Sequence, residues 1–314
     1  MRVYGPVPSR RFGLSLGVDI IPHKTCQYDC IYCQLGPEEH TVVTPQTFFD
    51  MEEILADVRS ALAAGPAPDV ITLAGSGDPT LYANLGELID RLKIECDAPV
   101  LLITNGAMLS DPKVAQAALR ADILAPSLDA GDAETFKRIN RAHPNIQFDE
   151  MVRGLQEVTH AHKGEVRLEV MLISGINDTE AHIRDIERIV RTLRVDRIDL
   201  NTPVRPPVPE RGAMPCDESV LLLAQSIFGP LAHPIGRFST VSAPLLAPDR
   251  VFTDRDKDIR ETLLRRPCTR ADLCASTGIA RDVMDEILGR LLRANLIASN
   301  GNGEATYYHG VGEL

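Results

Sequence analysis

From Leu14 to Asn201, short runs of aliphatic and β-branched residues alternate with longer stretches whose apolar residues recur at helical spacing, the rhythm of repeated βα units. The short runs are Leu14–Ile21, Asp69–Ala74, Val100–Thr104, Asp122–Ser127, Val166–Ile173 and Arg197–Asn201. Most are continuously apolar, which suits strands of a parallel sheet buried on both faces. The stretches between them predict helices near 50–64, 84–94, 111–120, 148–162 and 178–194. Asp111-Pro112 and Asn177-Asp178 read as helix starts, a capping side chain followed by proline or acid. Six such units are too few to close an eightfold barrel. The expected fold is therefore α/β, an open partial (β/α)6 barrel of TIM type with its site at the C-terminal strand ends.

The rhythm stops at Pro203-Val204-Arg205-Pro206-Pro207-Val208-Pro209, where the prolines forbid a helix. Residues 1–210 thus read as the barrel, 211–250 as a connector with one helix at Asp217–Phe228, and 251–314 as a small terminal unit beyond Pro244 and Pro248. Within it, Asp256–Arg265, Thr269–Gly278 and Ala280–Ala294 have helical period. A hairpin of Ile297–Ser299 and Ala305–Tyr308 across Asn300-Gly301-Asn302-Gly303 follows. This order resembles a winged helix-turn-helix domain. Its third helix mixes Arg281, Arg290 and Arg293 with Asp282, Asp285 and Glu286, so a partner docking there is as natural a reading as nucleic acid.

Composition narrows the functional classes. A net charge of −11 argues against a chain that coats nucleic acid or anionic membrane through its overall field. No apolar run approaches the roughly 20 residues of a membrane helix, and the first residues lack the build of a signal peptide. A cytoplasmic protein without a membrane partner is the expectation. Seven cysteines then read as thiols or metal ligands rather than disulfides.

Three of those cysteines crowd into Cys26-Gln27-Tyr28-Asp29-Cys30-Ile31-Tyr32-Cys33, in a loop just after the first predicted strand. Structural zinc takes four ligands, commonly from paired knuckles, and no second knuckle occurs in the chain. Iron–sulfur clusters are held by thiolates in short runs, and three cysteines leave one iron open to a further ligand. A zinc clip or three buried thiols are the alternatives. Cys96, Cys216, Cys268 and Cys274 are scattered and read as small buried residues rather than an auxiliary cluster. His23 and His40 flank the loop as candidates for tuning such a cluster, or as solvated loop histidines.

The spacing C-x3-C-x2-C with Tyr32 before the last cysteine resembles the radical S-adenosylmethionine (SAM) superfamily. The resemblance implies a 4Fe-4S cluster on Cys26, Cys30 and Cys33, whose open iron chelates SAM. It also implies reductive cleavage of SAM to a 5′-deoxyadenosyl radical that abstracts hydrogen from a substrate. Gly75-Ser76-Gly77-Asp78-Pro79 stands where that superfamily has the glycine-rich turn that meets the SAM amino group. Asn105 ends the third strand, Ser127 and Asp129 end the fourth, Glu169 lies in the fifth and Asn201 ends the sixth. By the same resemblance Tyr32, Gly75, Ser76, Gly77, Asp78, Asn105, Ser127, Asp129, Glu169 and Asn201 are the SAM-contact candidates. Helix capping or loop formation is the competing role for Asn105, Asp129 and Asn201.

A narrower resemblance is to the subgroup related to the wyosine-base synthases that modify transfer RNA. It is carried by Gly5-Pro6-Val7-Pro8-Ser9-Arg10-Arg11, Lys24-Thr25-Cys26, Tyr28-Asp29-Cys30, Tyr32-Cys33-Gln34-Leu35-Gly36, Ser76-Gly77-Asp78-Pro79-Thr80 and Thr104-Asn105-Gly106. The second cysteine triplet of the archaeal wyosine synthases does not occur in this sequence. The expected activity is SAM cleavage that modifies an RNA or protein, fed by a flavodoxin- or ferredoxin-type electron donor, with a macromolecule docking on the terminal unit. The alternative from another class is a redox-sensing transcription regulator with a labile iron–sulfur cluster. No residue identifies the hydrogen that is abstracted, so no catalytic residue is assigned.

Overall fold

The structure is a computed structural model that describes residues 2–9, 11–37, 41–203, 212–235, 254–301 and 306–312. One sheet of eight strands runs β1 (Val3–Ser9), β2 (Gly13–Val18), β3 (Val70–Leu73), β4 (Val100–Thr104), β5 (Ile123–Pro126), β6 (Glu165–Met171), β7 (Arg197–Asn201) and β8 (Ala232–Pro234), in that spatial order. Strands β2 to β8 are parallel, and β1 pairs antiparallel with β2. The crossovers carry α1 (Met51–Ala64), α2 (Leu85–Glu95), α3 (Pro112–Ala118), α4 (Ala133–Asn140) with α5 (Phe148–Ala161), α6 (Glu180–Val190) and α7 (Glu218–Phe228). Six βα units are thus present, with two strands and one helix that the periodicity did not announce. β1 contains Gly5, Pro6 and Pro8, β8 has three residues, and α4 is only eight residues long.

The sheet is curled. Arg11, in the turn between β1 and β2, reaches Glu169 on β6 at 2.5 Å and Asp199 on β7 at 3.8 Å, which a flat sheet would hold several strand spacings away. Among the described residues β1 and β8 do not pair, so the barrel is open. Its outer layer is the main core, where the helices cover alternate strand residues such as Leu16, Leu73, Leu102, Leu168 and Leu200. Inside, Phe12, Val70, Leu101 and Ala125 form an apolar plug. Polar groups fill the rest of the interior: Ser15 with Thr72 at 2.7 Å, and Asn201 Nδ2 donating to Glu169 at 2.9 Å.

Helix starts follow the sequence closely. Asp50, Asp111 and Asp132 each accept two backbone N–H bonds at the first turns of α1, α3 and α4. The cap of α6 is Thr179 rather than the expected Asn177 or Asp178. Asn177 is fully buried in another task, described below.

Residues 254–301 and 306–312 form α8 (Arg255–Arg265), β9 (Cys268–Thr269), α9 (Arg270–Thr277), α10 (Arg281–Arg293), β10 (Ile297–Asn300) and β11 (Tyr307–Gly310), with the three strands antiparallel in the order β10-β11-β9. Thr269 and Asp272 make a reciprocal capping box at the start of α9. A separate core of Ile259, Leu263, Leu273, Met284, Ile287, Leu288 and Leu291 holds the unit together. Helices α8 and α9 pack against β1, so the unit is docked on the barrel. The proline run beyond Pro203, the segment with Pro244 and Pro248, His40 and Ala305 lie outside the described residues. No helix among the described residues is long and apolar enough to cross a membrane.

His162, the residue after α5, is buried with Nε2 donating to the Ala121 carbonyl at 3.0 Å, and burial lowers its pKa. A lowered histidine pKa contributes stability that is full above the unfolded value of about 6.5 and lost as pH falls through the folded value. Urea unfolding should therefore show stability decreasing on acidification below about pH 6.5, and His162→Gln should flatten that part of the profile. An unchanged slope in the variant would contradict this assignment.

Candidate functional site

The cysteine loop has no helix or strand of its own, so its polar groups must find partners elsewhere. It lies along the segment that ends α4: Ile31 N–H donates to Ile139 at 2.9 Å, Asp29 N–H to Asn140 at 3.0 Å, and His143 N–H to Gln27 at 2.9 Å. Tyr28 packs edge-on against Phe136 with ring centroids 5.4 Å apart. On the other side Thr25 bridges to Gly77 in the turn after β3. A Cβ at Gly77 would stand 1.8 Å from the Thr25 carbonyl oxygen, so glycine is the residue that lets turn and loop meet.

Cys26, Cys30 and Cys33 are half-buried and line one pocket with Lys24, Tyr28, Tyr32, Gly75, Ser76 and Gly77. Asn105 Nδ2 donates to Cys26 Sγ at 3.4 Å, and Asn140 Nδ2 to Cys30 Sγ at 3.5 Å. Burial, then Asp78, pushes the Cys26 thiol well above its ordinary range, and burial, then Cys26, does the same for Cys30. Such thiols ionise when a metal cation binds them. Among the described residues no three His, Cys, Asp or Glu groups converge as the ligands of a single metal ion would. A cluster differs, because each thiolate meets a different iron. Two buried atoms beside the thiols, Tyr28 Oη and Asn140 Oδ1, have no hydrogen-bond partner among the described residues. Three thiols in one pocket, with buried polar atoms beside them, are a donor set that fits an iron–sulfur group.

Two buried carboxylates tie the strand ends together. Asp78 accepts from Thr80 N–H at 2.9 Å, from the Thr80 hydroxyl, from the Thr104 hydroxyl at 2.9 Å and from Asn105 N–H at 2.6 Å. Asp129 accepts from the Tyr32 hydroxyl at 2.6 Å, from Asn140 Nδ2 at 2.9 Å and from Met171 N–H at 3.0 Å. Burial raises the Asp129 pKa to about 6 against the pull of those donors. Asp78 joins the β3 turn to the end of β4, and Asp129 joins the cysteine loop to α4 and β6.

The other candidates divide into two groups. Gly75, Ser76, Gly77 and Asn105 stand with the cysteines at one mouth, and Tyr32 joins them through Asp129. Ser127 follows β5, bridged to Glu169, with its N–H on the Thr104 carbonyl at 3.0 Å. Glu169 accepts from both Asn201 Nδ2 and Arg11 within the barrel. The sequence reading missed Gln27 and Asn140, and it read Asn177 as a helix start. Gln27 Nε2 donates to Thr80 at 3.2 Å while its carbonyl accepts from Asn105 at 3.0 Å. Asn177 accepts from Ile173 N–H at 2.6 Å and donates to the Asp129 and Met171 carbonyls, each at 2.8 Å. The missed signal is that buried amides must have partners. Cys96, Cys216, Cys268 and Cys274 are dispersed through the two cores.

Residues 20–190 match the model of the Radical SAM superfamily. Curated relatives include a Brachyspira hyodysenteriae protein named GTPase Obg, 47% identical over 204 residues, and a UPF0026 protein of Methanocaldococcus jannaschii, 33% identical over 206 residues. Each alignment takes in 65% of this chain, but only 30% of the first relative and 64% of the second, so the chain spans less than two thirds of their length. A UPF0026 protein of Synechocystis is 36% identical over 205 residues, 65% of this chain and 76% of its own. Among solved structures, TYW1 with a lysine–pyruvate adduct bound has a TM-score of 0.52 at 18% identity, covering 72% of this chain and 75% of that one. Streptococcus suis SuiB bound to the precursor peptide SuiA has a TM-score of 0.51 at 15% identity, covering 72% and 49%. At these identities the two structures are alike in fold alone.

Asp129→Ala would leave the Tyr32 hydroxyl, an Asn140 N–H and the Met171 N–H unpaired inside the protein. The expected cost is about 3 kcal/mol in urea unfolding of the metal-free chain, since each buried orphan costs roughly 1–3 kcal/mol. Iodoacetamide should then alkylate Cys30 at least about tenfold faster, because local opening becomes cheaper by more than 1.4 kcal/mol. Wild-type stability and alkylation rate in the variant would refute the tying role.

Proposed function

The chain belongs to the radical SAM superfamily, and on that premise we propose that Cys26, Cys30 and Cys33 hold a 4Fe-4S cluster whose open iron binds S-adenosylmethionine. Members of the superfamily use these two cofactors. The observation that carries the reading is the single pocket in which the three thiols meet the Gly75–Gly77 turn. When bound, the cluster would supply the electron that cleaves SAM to methionine and a 5′-deoxyadenosyl radical, with a reduced flavodoxin or ferredoxin as the donor of that electron to the cluster.

The chain's own residues have distinct parts in this proposal. Gly75, Ser76 and Gly77 offer the backbone of a turn held against the cysteine loop. Asn105 and Asn140 direct N–H bonds at two of the thiols, which stabilises them as thiolates. Tyr32, Asp78 and Asp129, read from the sequence as SAM contacts, also fix the loop and the strand ends. Ser127, Glu169 and Asn201 line the strand ends beyond them, where the rest of SAM and the substrate would lie. Burial around the thiols limits water at the site where a radical would form.

Residues 1–210 are proposed as the radical SAM core, 211–250 as the connector and 251–314 as a winged helix-turn-helix domain. Supporting the last is the order of three helices and three antiparallel strands. Its basic residues are partly spent on internal pairs, Arg290 with Asp256 at 2.8 Å and Arg270 with Asp285 at 2.9 Å. That charge balance favours a docking or packing role over DNA readout, and with it the enzyme over the transcription regulator. The modified molecule is proposed to be an RNA or a protein, on the resemblance to the wyosine-related subgroup.

Anaerobically reconstituted protein should bind about four irons per chain, the content of one 4Fe-4S cluster. With dithionite it should release 5′-deoxyadenosine from SAM. Cys30→Ala should lose both iron and cleavage. Full cluster content without any SAM cleavage would overturn the proposal, and about eight irons per chain would return the scattered cysteines to consideration as ligands.

A further inference from the structure

Asp19, in the loop that leaves β2, is buried and lies against the turn after β3. Its carboxylate accepts from Ser76 N–H at 3.0 Å and from the Ser76 hydroxyl at 2.6 Å. It sits so close to Gly75 that a Cβ there would come within 2.4 Å of the Asp19 carboxyl carbon. The cation facing this carboxylate comes from the far end of the chain. Arg265, the last residue of α8, places Nε 3.1 Å from Asp19 Oδ2, and both side chains are 4% exposed. Arg265 is itself braced: Nη1 donates to the Glu261 carbonyl at 3.0 Å, the Glu261 carboxylate lies 3.7 Å away, and the guanidinium stands 5.8 Å from the centre of the Tyr4 ring.

We propose that Arg265 is a positioning residue for the cofactor site: through Asp19 it fixes the Gly75–Ser76 turn, so the docked terminal unit completes the wall that receives SAM. The proposal rests on the reading of that turn given above. A buried carboxylate is costly to ionise unless a cation and hydrogen bonds compensate it. Here the bonds come from the turn and the cation from the terminal unit, so the carboxylate can grip Ser76 firmly only while α8 is docked. The terminal unit is then energetically coupled to SAM binding, and by reciprocity SAM binding favours the docked unit.

The test uses the full-length, cluster-loaded protein and separates KM for SAM from kcat of reductive cleavage. Arg265→Met should raise KM by about tenfold or more while kcat per cluster changes less than about threefold, the pattern of lost binding rather than lost chemistry. Arg265→Lys should recover part of the affinity, because an ammonium restores the charge without the planar fork. A purely structural role would reduce the amount of folded, cluster-bearing protein and leave KM of that fraction unchanged. The D19N/R265M double variant removes the Asp19 charge together with the cation that faces it. It carries the same criterion if Arg265→Met does not fold, and its KM should rise less than the product of the two single effects. A KM within about twofold of wild type in the folded variants would overturn the coupling. Absence of SAM binding in the wild type would instead overturn the underlying reading of the turn.

Discussion

A loop of eight residues that carries three thiols cannot satisfy its own backbone, and the polar ties that satisfy it govern the geometry around it. Asp129 gathers the loop, α4 and β6 through Tyr32, Asn140 and Met171. Asp78 gathers the β3 turn and the end of β4 through Thr80, Thr104 and Asn105. Asn105 and Asn140 then connect these two hubs to Cys26 and Cys30. Each carboxylate is buried, which raises its pKa, and each is held by converging donors that would lose their partners if it moved. The thiols are thus preorganised by groups that need not touch a cofactor themselves.

The barrel makes those ties possible. Parallel strands bring the ends of β3 to β7 to the same side, so residues 50 or 100 positions apart in sequence become neighbours without long loops. Apolar residues fill one end of the interior, and hydrogen-bonded or ion-paired groups such as Arg11, Glu169 and Asn201 occupy the rest. Sheet order leaves one side open, and the terminal unit packs on β1 at that edge. Arg265 is the point at which this docking reaches the turn beside the thiols.

Much of this was legible in the chain. The six βα units could be read because strands buried on both faces are almost continuously apolar, and the cysteine spacing announced the loop. β1 and β8 were not, since glycine, proline and short length erase the alternation by which a strand is recognised. The partners of the site were harder still. Nothing local marks Asn140 as the neighbour of Cys30 or Arg265 as the neighbour of Asp19, because those pairs are 110 and 246 residues apart. Asp78 and Asp129 lie in the segments that follow β3 and β5, and the direction in which each carboxylate turns depends on donors that only the fold supplies.

The central claim is that one site-differentiated cluster, held by three thiolates, presents an open iron to SAM beside the Gly75–Gly77 turn. Electron paramagnetic resonance of the reduced, reconstituted protein tests it most directly. The account predicts the signal of a single reduced 4Fe-4S cluster whose g-values shift when SAM is added, because a new ligand has joined one iron. A cluster signal that SAM leaves unchanged, or a reconstituted protein that takes up stoichiometric zinc in place of iron, would contradict it.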